Sequence, residues 1–325
     1  MKRLILAAAT LLLVAALPPA TARAQQDFPN REIRFLCGFA PGGTCDLLSR
    51  ILAEHLAPVL GQRVVVENRT GASGLIAAET AAKAAPDGHT VLLATMALYT
   101  IQPQMPGMRL PLDVDRELTP ISNVANIYNV LVVSPQSPIR SVPQLIEMAR
   151  ARPGGLTYAS AGNGGSQHLA AELFKRLAGV EILHVPYRGG AQAVLDIAAG
   201  RTDMMFGNLP EFLGQIRDGG LRAIAFGAPR PSPLLPELPL ISEVLPEFKV
   251  RNWFGVAGTG GMPRAALDRW VAALRQVDAD PAFRRRMAEN GMESLIGGPD
   301  AFRATIEEDR RRWGEVIRAA GIRAD

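Results

Sequence analysis

The chain has 325 residues, with 35 Lys and Arg against 31 Asp and Glu, four histidines and two cysteines. Two cysteines are too few for a disulfide scaffold or a zinc site of the Cys-x-x-Cys type. The dense basic runs at 284–286 and 310–312 stand among acidic residues, which is typical of solvated helix faces and not of a nucleic-acid-binding stripe. We therefore expect no metal, no cofactor and no nucleic-acid partner.

The N-terminus has the pattern of a secretory signal peptide. Lys2 and Arg3 precede an apolar run from Leu4 to Leu17, and Ala22-Arg23-Ala24 is a small-x-small cleavage site. The apolar run is shorter than the roughly 20 residues that span a bilayer. We expect cleavage after Ala24 and export of a chain whose 32 basic residues nearly balance its 31 acidic ones.

Strands and helices alternate in the first part of the exported chain. An apolar strand at 33–39 breaks at Pro41-Gly42-Gly43, and Thr44 or Asp46 can cap the helix that follows to about Leu60. Strands at 63–67 and 90–95 flank a small-residue helix at 75–85. This β-α-β-α-β order predicts parallel strands with crossover helices. The apolar segment at 121–134 is long enough to run from one domain into another.

The alternation then restarts and predicts a second α/β unit. Helices are expected at 141–152, 166–179, 191–199 and 210–218, with strands at 156–160, 182–186, 203–206 and 221–226. A strand at 249–257 and helices at 263–277, 281–290 and 299–319 complete the chain. We expect two doubly wound α/β domains, 25–124 plus 250–325 and 125–249, joined by two crossing strands with a cleft between them.

Two glycine-rich loops follow the first strand of each unit, at 39–46 and 159–168. A strand, a glycine turn and a helix N-terminus aim unpaired N–H groups at one point, which makes an anion site without a basic side chain. In other α/β proteins such turns only pack a helix against a strand. For either loop alone, an anion site and a purely structural turn therefore both stay open. Asp46 can cap the helix or face the cleft, and His168 is a candidate ligand contact.

Enzyme motifs are absent from the sequence. It contains no Gly-x-Ser-x-Gly elbow, no phosphate-binding Gly-x-x-x-x-Gly-Lys-Ser/Thr loop and no Gly-x-Gly-x-x-Gly fingerprint after a strand. Its histidines are scattered without metal spacing.

Cys37 and Cys45 flank the Gly-Gly turn and can form a disulfide in an oxidising compartment if their Cα atoms come within about 7 Å. The alternative is two unrelated thiols.

The loops resemble those of the Bug-type substrate-binding proteins, the periplasmic receptors of tripartite tricarboxylate transporters. The matching segments occur in the same order along the whole exported chain: RFLCGFAPGGTCD at 34–46, GQRVVVENRTGASG at 61–74, AAPDGHTVLLAT at 84–95, LTYASAGNGGSQHLAAELF at 156–174, HVPYRGGAQAVLDIAAGRTDMMFGN at 184–208 and WFGVAGTGGMP at 253–263. Tyr99 and Gln102 differ from the family pattern Thr-His-x-x-Asn-Pro, and Cys45 stands where Thr or Ser is usual. Tyr99, Gln102 and Cys45 are expected at the cleft.

The resemblance implies a type II periplasmic-binding-protein fold and a periplasmic receptor that takes a small organic acid to membrane subunits. We also expect a monomer, and the lack of a nucleophile–base or metal constellation indicates a protein that is not an enzyme. The same fold and site would serve a sensor that presents its ligand to a signalling kinase. By position, the implied ligand contacts are Phe39, Gly42, Gly43, Thr44 and Asp46 in the first loop, Ser160, Ala161, Gly162, Asn163 and His168 in the second, and Tyr187, Gly189 and Asn208 beyond them.

Overall fold

The computed structural model describes residues 28–187, 189–248 and 250–324, and the predicted signal peptide lies outside them. Within these residues the strands are β1 Ile33–Cys37, β2 Val64–Asn68, β3 Thr90–Thr95, β4 Leu118–Val133, β5 Thr157–Ser160, β6 Leu183–Pro186, β7 Met204–Asn208, β8 Arg222–Phe226, β9 Arg251–Thr259 and β10 Met292–Ser294. The predicted strands are confirmed within two to three residues at each end. The three-residue β10, which pairs with β4, was not predicted.

The α-helices likewise follow the predicted segments. They are α1 Thr44–Leu60, α2 Leu75–Ala82, α3 Val142–Ala151, α4 Ser166–Ala178, α5 Gly190–Ala198, α6 Leu209–Arg217, α7 Arg264–Asp278, α8 Pro281–Glu289 and α9 Pro299–Ala320. A π-helical turn at Ala97–Ile101 and short 3-10 turns at Ala72–Gly74, Gln102–Gln104 and Ile241–Glu243 were not predicted. None of the described helices is both long enough and apolar enough to cross a bilayer.

The strands form one continuous mixed sheet in the order β2-β1-β3-β9-β4-β7-β5-β6, with β8 and β10 also paired to β4. The crossover helices make β1 parallel to β2 and β3, and β5 parallel to β6 and β7. β9 and β4 run antiparallel to their neighbours. The parallel sets are therefore as predicted, while the antiparallel strands between them arise from the long connections.

β4 is the strand that joins the two halves of the fold. Its residues 118–128 pair with β9 in the first half, and residues 129–133 pair with β7 and β8 in the second. The chain returns after β8, where the Gly227 N–H donates to the Asn129 carbonyl at 2.8 Å. It enters β9 at Arg251, opposite Tyr128. Two crossings thus meet at one point, as in a type II periplasmic-binding protein. The domain boundaries at 124/125 and 249/250 stay predictions.

Core side chains cover both faces of the sheet. Along β1, Phe35 and Cys37 pack on the side of α1 and α7, whereas Leu36 packs on the opposite side with α2. This alternation is the two-residue period of a strand. Because both faces of the sheet are buried, the sequences of β1 and β3 are mostly apolar. Trp270 and Trp313 are fully buried and belong to the core on either side of the sheet.

Candidate functional site

A cleft of about 380 Å³ opens between the two halves, at the carboxyl ends of the parallel strands. Its walls combine apolar and small polar side chains, and none of its described lining residues is Lys, Arg or His. The lining comprises Phe39, Ala40, Pro41, Gly42, Gly43, Thr44, Cys45, Ser73, Thr95, Ala97, Ala161, Gly162, Gly165, Ser166, Gln167, Gly189, Gly190, Ala191, Val194, Leu195, Asn208, Glu211, Gln215, Asn252 and Phe254. The volume suits a small organic molecule.

Four helix N-termini converge on this cleft. The N-cap residues of α1, α4, α5 and α6 are Gly43, Gly165, Gly189 and Asn208, and all four line it. None of these four N-caps uses its side chain to cap its helix. The first N–H groups of a helix have no partner within the helix. Each helix end also carries roughly half a positive charge. The cleft therefore attracts anions through its backbone.

Hydrogen bonds to the Asp46 side chain fix the conformation of the first glycine-rich loop, residues 39–46. The Gly42 N–H donates to Asp46 Oδ2 at 3.0 Å, and Asn68 Nδ2 donates to Oδ1 at 3.0 Å. Gly42 has φ +84°, a conformation that favours glycine. Burial acts to raise the pKa of Asp46, but hydrogen bonds from Arg50, Gly42 and Asn68 outweigh it and the pKa is lowered. Asp46 is thus an anion that fixes the turn.

The predicted helix cap of this loop is wrong. Neither Thr44 nor Asp46 is the N-cap of α1: Gly43 occupies that position, with extended backbone angles of φ −82° and ψ 174°. The helix consequently begins at Thr44, so both residues that were expected as caps lie inside its first turn. The Asp46 carboxylate reaches back past the N-cap to accept from the Gly42 N–H, and it therefore does not cap the first turn of α1.

A disulfide joins Cys37 at the end of β1 to Cys45 in the first turn of α1. Their Cα atoms are 6.0 Å apart, within the range that a disulfide spans. The bond encloses the Pro41-Gly42-Gly43 turn. Strand, turn and helix are therefore joined covalently as well as through Asp46.

The second loop is braced by a stack of aromatic rings, of which Tyr158 and His168 are buried and His184 is half-buried. His168 and His184 stack at 4.3 Å between centroids, and Tyr158 stacks on His184 at 4.6 Å. The Gly164 N–H donates to His168 Nδ1 at 3.2 Å, and Ser160 Oγ lies 2.6 Å from His184 Nε2. These contacts hold the loop at both ends while its middle, Ala161 and Gly162, lines the cleft.

The predicted ligand contacts divide into two groups. Phe39, Gly42, Gly43, Thr44, Ala161, Gly162, Gly189 and Asn208 line the cleft. Asp46, Ser160, His168 and Tyr187 stand outside that lining and make contacts behind it, whereas Asn163 stands outside it and accepts a hydrogen bond across the cleft. Tyr187, for instance, donates its hydroxyl to Asp196 Oδ2 at 2.7 Å. Contact of either group with a ligand stays a prediction.

Tyr99 and Gln102 do not line the cleft, contrary to expectation. Tyr99 is fully buried and packs edge-on against Phe302 at 5.8 Å, and burial raises its pKa. Gln102 Nε2 donates to the Ser73 carbonyl at 3.2 Å and thereby supports a neighbouring loop. The π-helical turn at Ala97–Ile101 rotates these side chains away from the cleft and leaves Ala97 in its wall.

Glu211 is the most important residue that the sequence pattern did not indicate. It lies in the first turn of α6, three residues beyond the strand-end position Asn208. Extending the search from strand ends by one helical turn would have found it. Burial raises the pKa of Glu211, while hydrogen bonds from Thr44 and Asn208 oppose that effect.

An asparagine cluster links the cleft to the two crossings. Asn208 Oδ1 accepts from Asn252 Nδ2 on β9 at 2.9 Å and from Asn129 Nδ2 on β4 at 3.4 Å. Its own Nδ2 donates to Glu211 Oε1 at 3.4 Å. Because Asn129 and Asn252 lie on the crossing strands, the cleft and the junction share one buried polar network.

Two hydrogen bonds cross the cleft. Thr44 Oγ1 in the first half donates to Glu211 Oε1 in the second at 3.1 Å. Ser73 Oγ donates to the Asn163 carbonyl at 3.0 Å. Gly162, at φ +126°, lies so close to Ser73 that a Cβ atom would come within 2.9 Å of the Ser73 hydroxyl. The two walls are therefore in contact at two points.

Comparison with known proteins identifies the family. Residues 48–322 match the model of the tripartite tricarboxylate transporter family receptor. The UPF0065 protein in the tcbD-tcbE intergenic region of Pseudomonas sp. strain P51 is 37% identical over 306 residues, which cover 93% of this chain and 90% of the relative. Protein BugT of Bordetella pertussis is 34% identical over 301 residues, which cover 91% of each chain.

Solved structures agree with the sequence matches. Rpa4515 of R. palustris with adipate has a TM-score of 0.89 and 32% identity, with 92% of this chain and 100% of that chain covered. MatC of Rhodopseudomonas palustris with bound malate has a TM-score of 0.81 and 26% identity, with coverage of 89% and 100%. Members of this family are substrate-binding receptors and not enzymes. The chain therefore belongs to the Bug-type receptors of the tripartite tricarboxylate transporter family.

Proposed function

We propose that this protein captures a small organic carboxylate in its cleft and delivers it to the membrane subunits of a tripartite tricarboxylate transporter. The observation that carries the proposal is the convergence of four helix N-termini without side-chain caps. Open N–H groups in a partly enclosed cleft bind a carboxylate better than they bind a neutral solute. Adipate and malate, which accompany two of the similar structures, are both carboxylates.

The cleft residues have two roles in this proposal. Backbone N–H groups at Gly43, Thr44 and Gly189 and in the second loop bind the ligand carboxylate. Asp46, Ser160 and His168 position the loops from behind and do not need to touch the ligand. The apolar lining, including Phe39, Val194 and Phe254, accommodates the carbon skeleton.

The proposal also includes export to the periplasm, with cleavage after Ala24. Protein recovered from the periplasmic fraction should have a mass that corresponds to a chain beginning at Gln25. Calorimetry on this protein, stripped of ligand, should then detect binding within a panel of mono-, di- and tricarboxylates. A stripped and folded protein that binds no organic acid would contradict the proposed function.

Gly43→Pro tests the backbone directly. Gly43 has φ −82°, close to the angle that proline requires, so the substitution removes one N–H while the fold is retained. We expect carboxylate affinity to fall at least about tenfold, because a hydrogen bond to a charged group contributes roughly 1.5–3 kcal/mol.

Gly43→Ala is the matched control, because it adds a side-chain atom but keeps the N–H. A Cβ atom here would lie 3.6 Å from the Ala40 carbonyl, an ordinary contact. We expect Gly43→Ala to bind within about threefold of wild type. Equal affinities of the proline and alanine variants would show that this N–H does not hold the ligand.

A further inference from the structure

The Glu211 carboxylate lies beside all four helix N-termini of the cleft. Its Oε1 accepts at 3.1 Å from Thr44 Oγ1, on the first residue of α1, and its Oε2 accepts at 3.0 Å from Gln167 Nε2, in the first turn of α4. A Cβ atom on Gly190, the first residue of α5, would lie 3.7 Å from Oε2. Glu211 itself lies in the first turn of α6. One anionic side chain of the protein therefore stands where the helix ends converge.

Protein donors fill the acceptor positions of Glu211. Asn208 Nδ2 also donates to Oε1 at 3.4 Å, and the backbone N–H groups of Thr44 and Asn208 donate to the carboxylate. The Thr44 N–H is one of the groups that the proposed function assigns to a ligand carboxylate. A ligand that binds at the N-terminus of α1 therefore shares this helix end with an anion of the protein.

No basic side chain in the described lining of the cleft balances the charge of Glu211. The titratable side chains near the starts of α1, α4 and on α5 have partners elsewhere: Asp46 with Arg50, His168 with His184 and the Gly164 N–H, and Asp196 with Arg201 and Tyr187. The four helix ends supply roughly two positive charges, which Glu211 shares with any bound anion.

A second carboxylate at this point changes the ionisation of the first. Burial already raises the pKa of Glu211. A like charge within about 4–6 Å disfavours the charged form further, and two carboxylates that share a site commonly hold one proton between them. A protonated Glu211 has an O–H group that can donate to the ligand carboxylate in a charge-assisted hydrogen bond. The Thr44 hydroxyl can rotate and keep its contact with the protonated side chain.

We propose that Glu211 couples ligand capture to proton uptake: as the ligand carboxylate binds beside it, the Glu211 carboxylate takes one proton from solvent and becomes a donor to the ligand. The proton returns to solvent when the ligand leaves. This inference rests on the proposed function and adds a pH-sensitive device to it. Uptake of one proton makes the affinity fall about tenfold for each unit of rising pH, over the range between the pKa of free and of ligand-bound Glu211.

Calorimetry in two buffers of different ionisation enthalpy counts the protons taken up on binding. Ligand-stripped wild-type protein is titrated with acetate, succinate, malate and adipate, and the tightest binder is then measured between pH 6.5 and pH 8.5, where these acids are ionised. We expect proton uptake that approaches one per ligand and an affinity that weakens as the pH rises. A wild-type protein that takes up no proton anywhere in this range would overturn the inference.

Glu211→Gln removes the titrating group and keeps the shape of the side chain. We expect the proton uptake to disappear in this variant, together with the dependence of affinity on pH. Asp218→Asn is the matched control, because it removes an exposed carboxylate from the other end of α6 and should keep the wild-type proton uptake. Proton uptake by Glu211→Gln equal to that of wild type would assign the proton to another group and overturn the inference.

Carboxyl ¹³C NMR of the wild-type protein provides a readout that does not require the variant to bind. The Glu211 side-chain resonance is assigned by its absence from the spectrum of Glu211→Gln, and thermal melts establish that this variant is folded. On ligand binding the resonance should move toward the position of a protonated acid. A resonance that stays at the ionised position in the complex would overturn the inference, while the receptor function stands. If none of the carboxylates binds to the folded wild-type protein, the proposed function fails and the inference fails with it.

Discussion

Three carboxylates near the cleft show how surroundings decide the role of a residue. Asp46 is satisfied within its own loop, where it holds Gly42 and Asn68. Glu67 pairs with arginines on the neighbouring surface. Glu211 faces the cleft, where its hydrogen-bond partners are all neutral. Only the last lines the cleft. Asp46 and Glu211 both lie in the first turn of a helix that follows a strand, so their sequence positions do not distinguish the two roles.

Glu67 provides a pH-dependent prediction. The Arg34 guanidinium donates to it at 2.7 and 3.0 Å, and this contact, with help from Arg69, lowers the pKa of Glu67 from 4.5 to about 2. A carboxyl group whose pKa is lowered by folding stabilises the protein above its unfolded pKa and loses that effect as the pH falls. We expect part of the free energy of unfolding to be lost between pH 4.5 and about 2.

The check is urea denaturation at pH 6 and at pH 3 for wild type and Glu67→Gln. The variant should be less stable than wild type at pH 6, and the difference should shrink at pH 3. Asp300→Asn is the control, because its side chain is fully exposed and its partner Arg303 is also exposed. A difference between wild type and Glu67→Gln that is the same at both pH values would contradict the assignment.

Local signals account for most elements of this fold. Glycine and proline mark the ends of the predicted helices, and apolar runs mark the buried strands, so the boundaries agree within a few residues. The exceptions have no strong local signal. β10 is only three residues long, and the π-helical turn at Ala97–Ile101 continues directly from β3. The start of α1 differed because Asp46 acts on Gly42 and not as the cap.

The β1–α1 unit leads to a prediction about the disulfide. Cys37 and Cys45 are eight residues apart in sequence and close a short loop around the Gly-Gly turn. Closing a loop of this length restricts the unfolded chain by about 2–3 kcal/mol. We expect the double variant Cys37→Ala/Cys45→Ala to lose about that much unfolding free energy.

A thiol titration supplies the independent measurement. Protein that is denatured without a reductant should show no reactive thiol, and the same protein after reduction should show two. Two reactive thiols before reduction would exclude the bond in solution. In that case the double variant should lose only the unfolding free energy that two buried thiols contribute by packing. Reduction of the wild-type protein should then leave its unfolding free energy unchanged.

At the scale of the whole molecule, the cleft is closed by contacts between residues that are far apart in sequence. Ser73 and Asn163 are 90 residues apart, and Thr44 and Glu211 are 167 apart. The two crossings join the halves, and the asparagine cluster connects them to the cleft, which Asn208 and Asn252 line. We expect release of the ligand to require that the contacts across the cleft break.

Ser73→Ala should therefore speed ligand release. The hydroxyl makes one hydrogen bond across the cleft, and such a bond typically contributes about 1 kcal/mol, or roughly fivefold in a rate. Stopped-flow measurement of dissociation for a bound carboxylate would test this. Thr80→Ala is the control, because that hydroxyl donates to Ile76 within its own helix. An unchanged dissociation rate for Ser73→Ala would show that the contact does not hold the cleft closed.

The sequence by itself determined the alternation of strands and helices, the two glycine-rich loops and the family, because periodicity, turn chemistry and motif order are local properties of a chain. The tertiary structure alone decided that β9 lies between β3 and β4, that four helix N-termini share one cleft, and that Glu211 meets Thr44 there. Those arrangements depend on which surfaces pack together over more than a hundred residues. No local pattern of residues encodes that packing by itself.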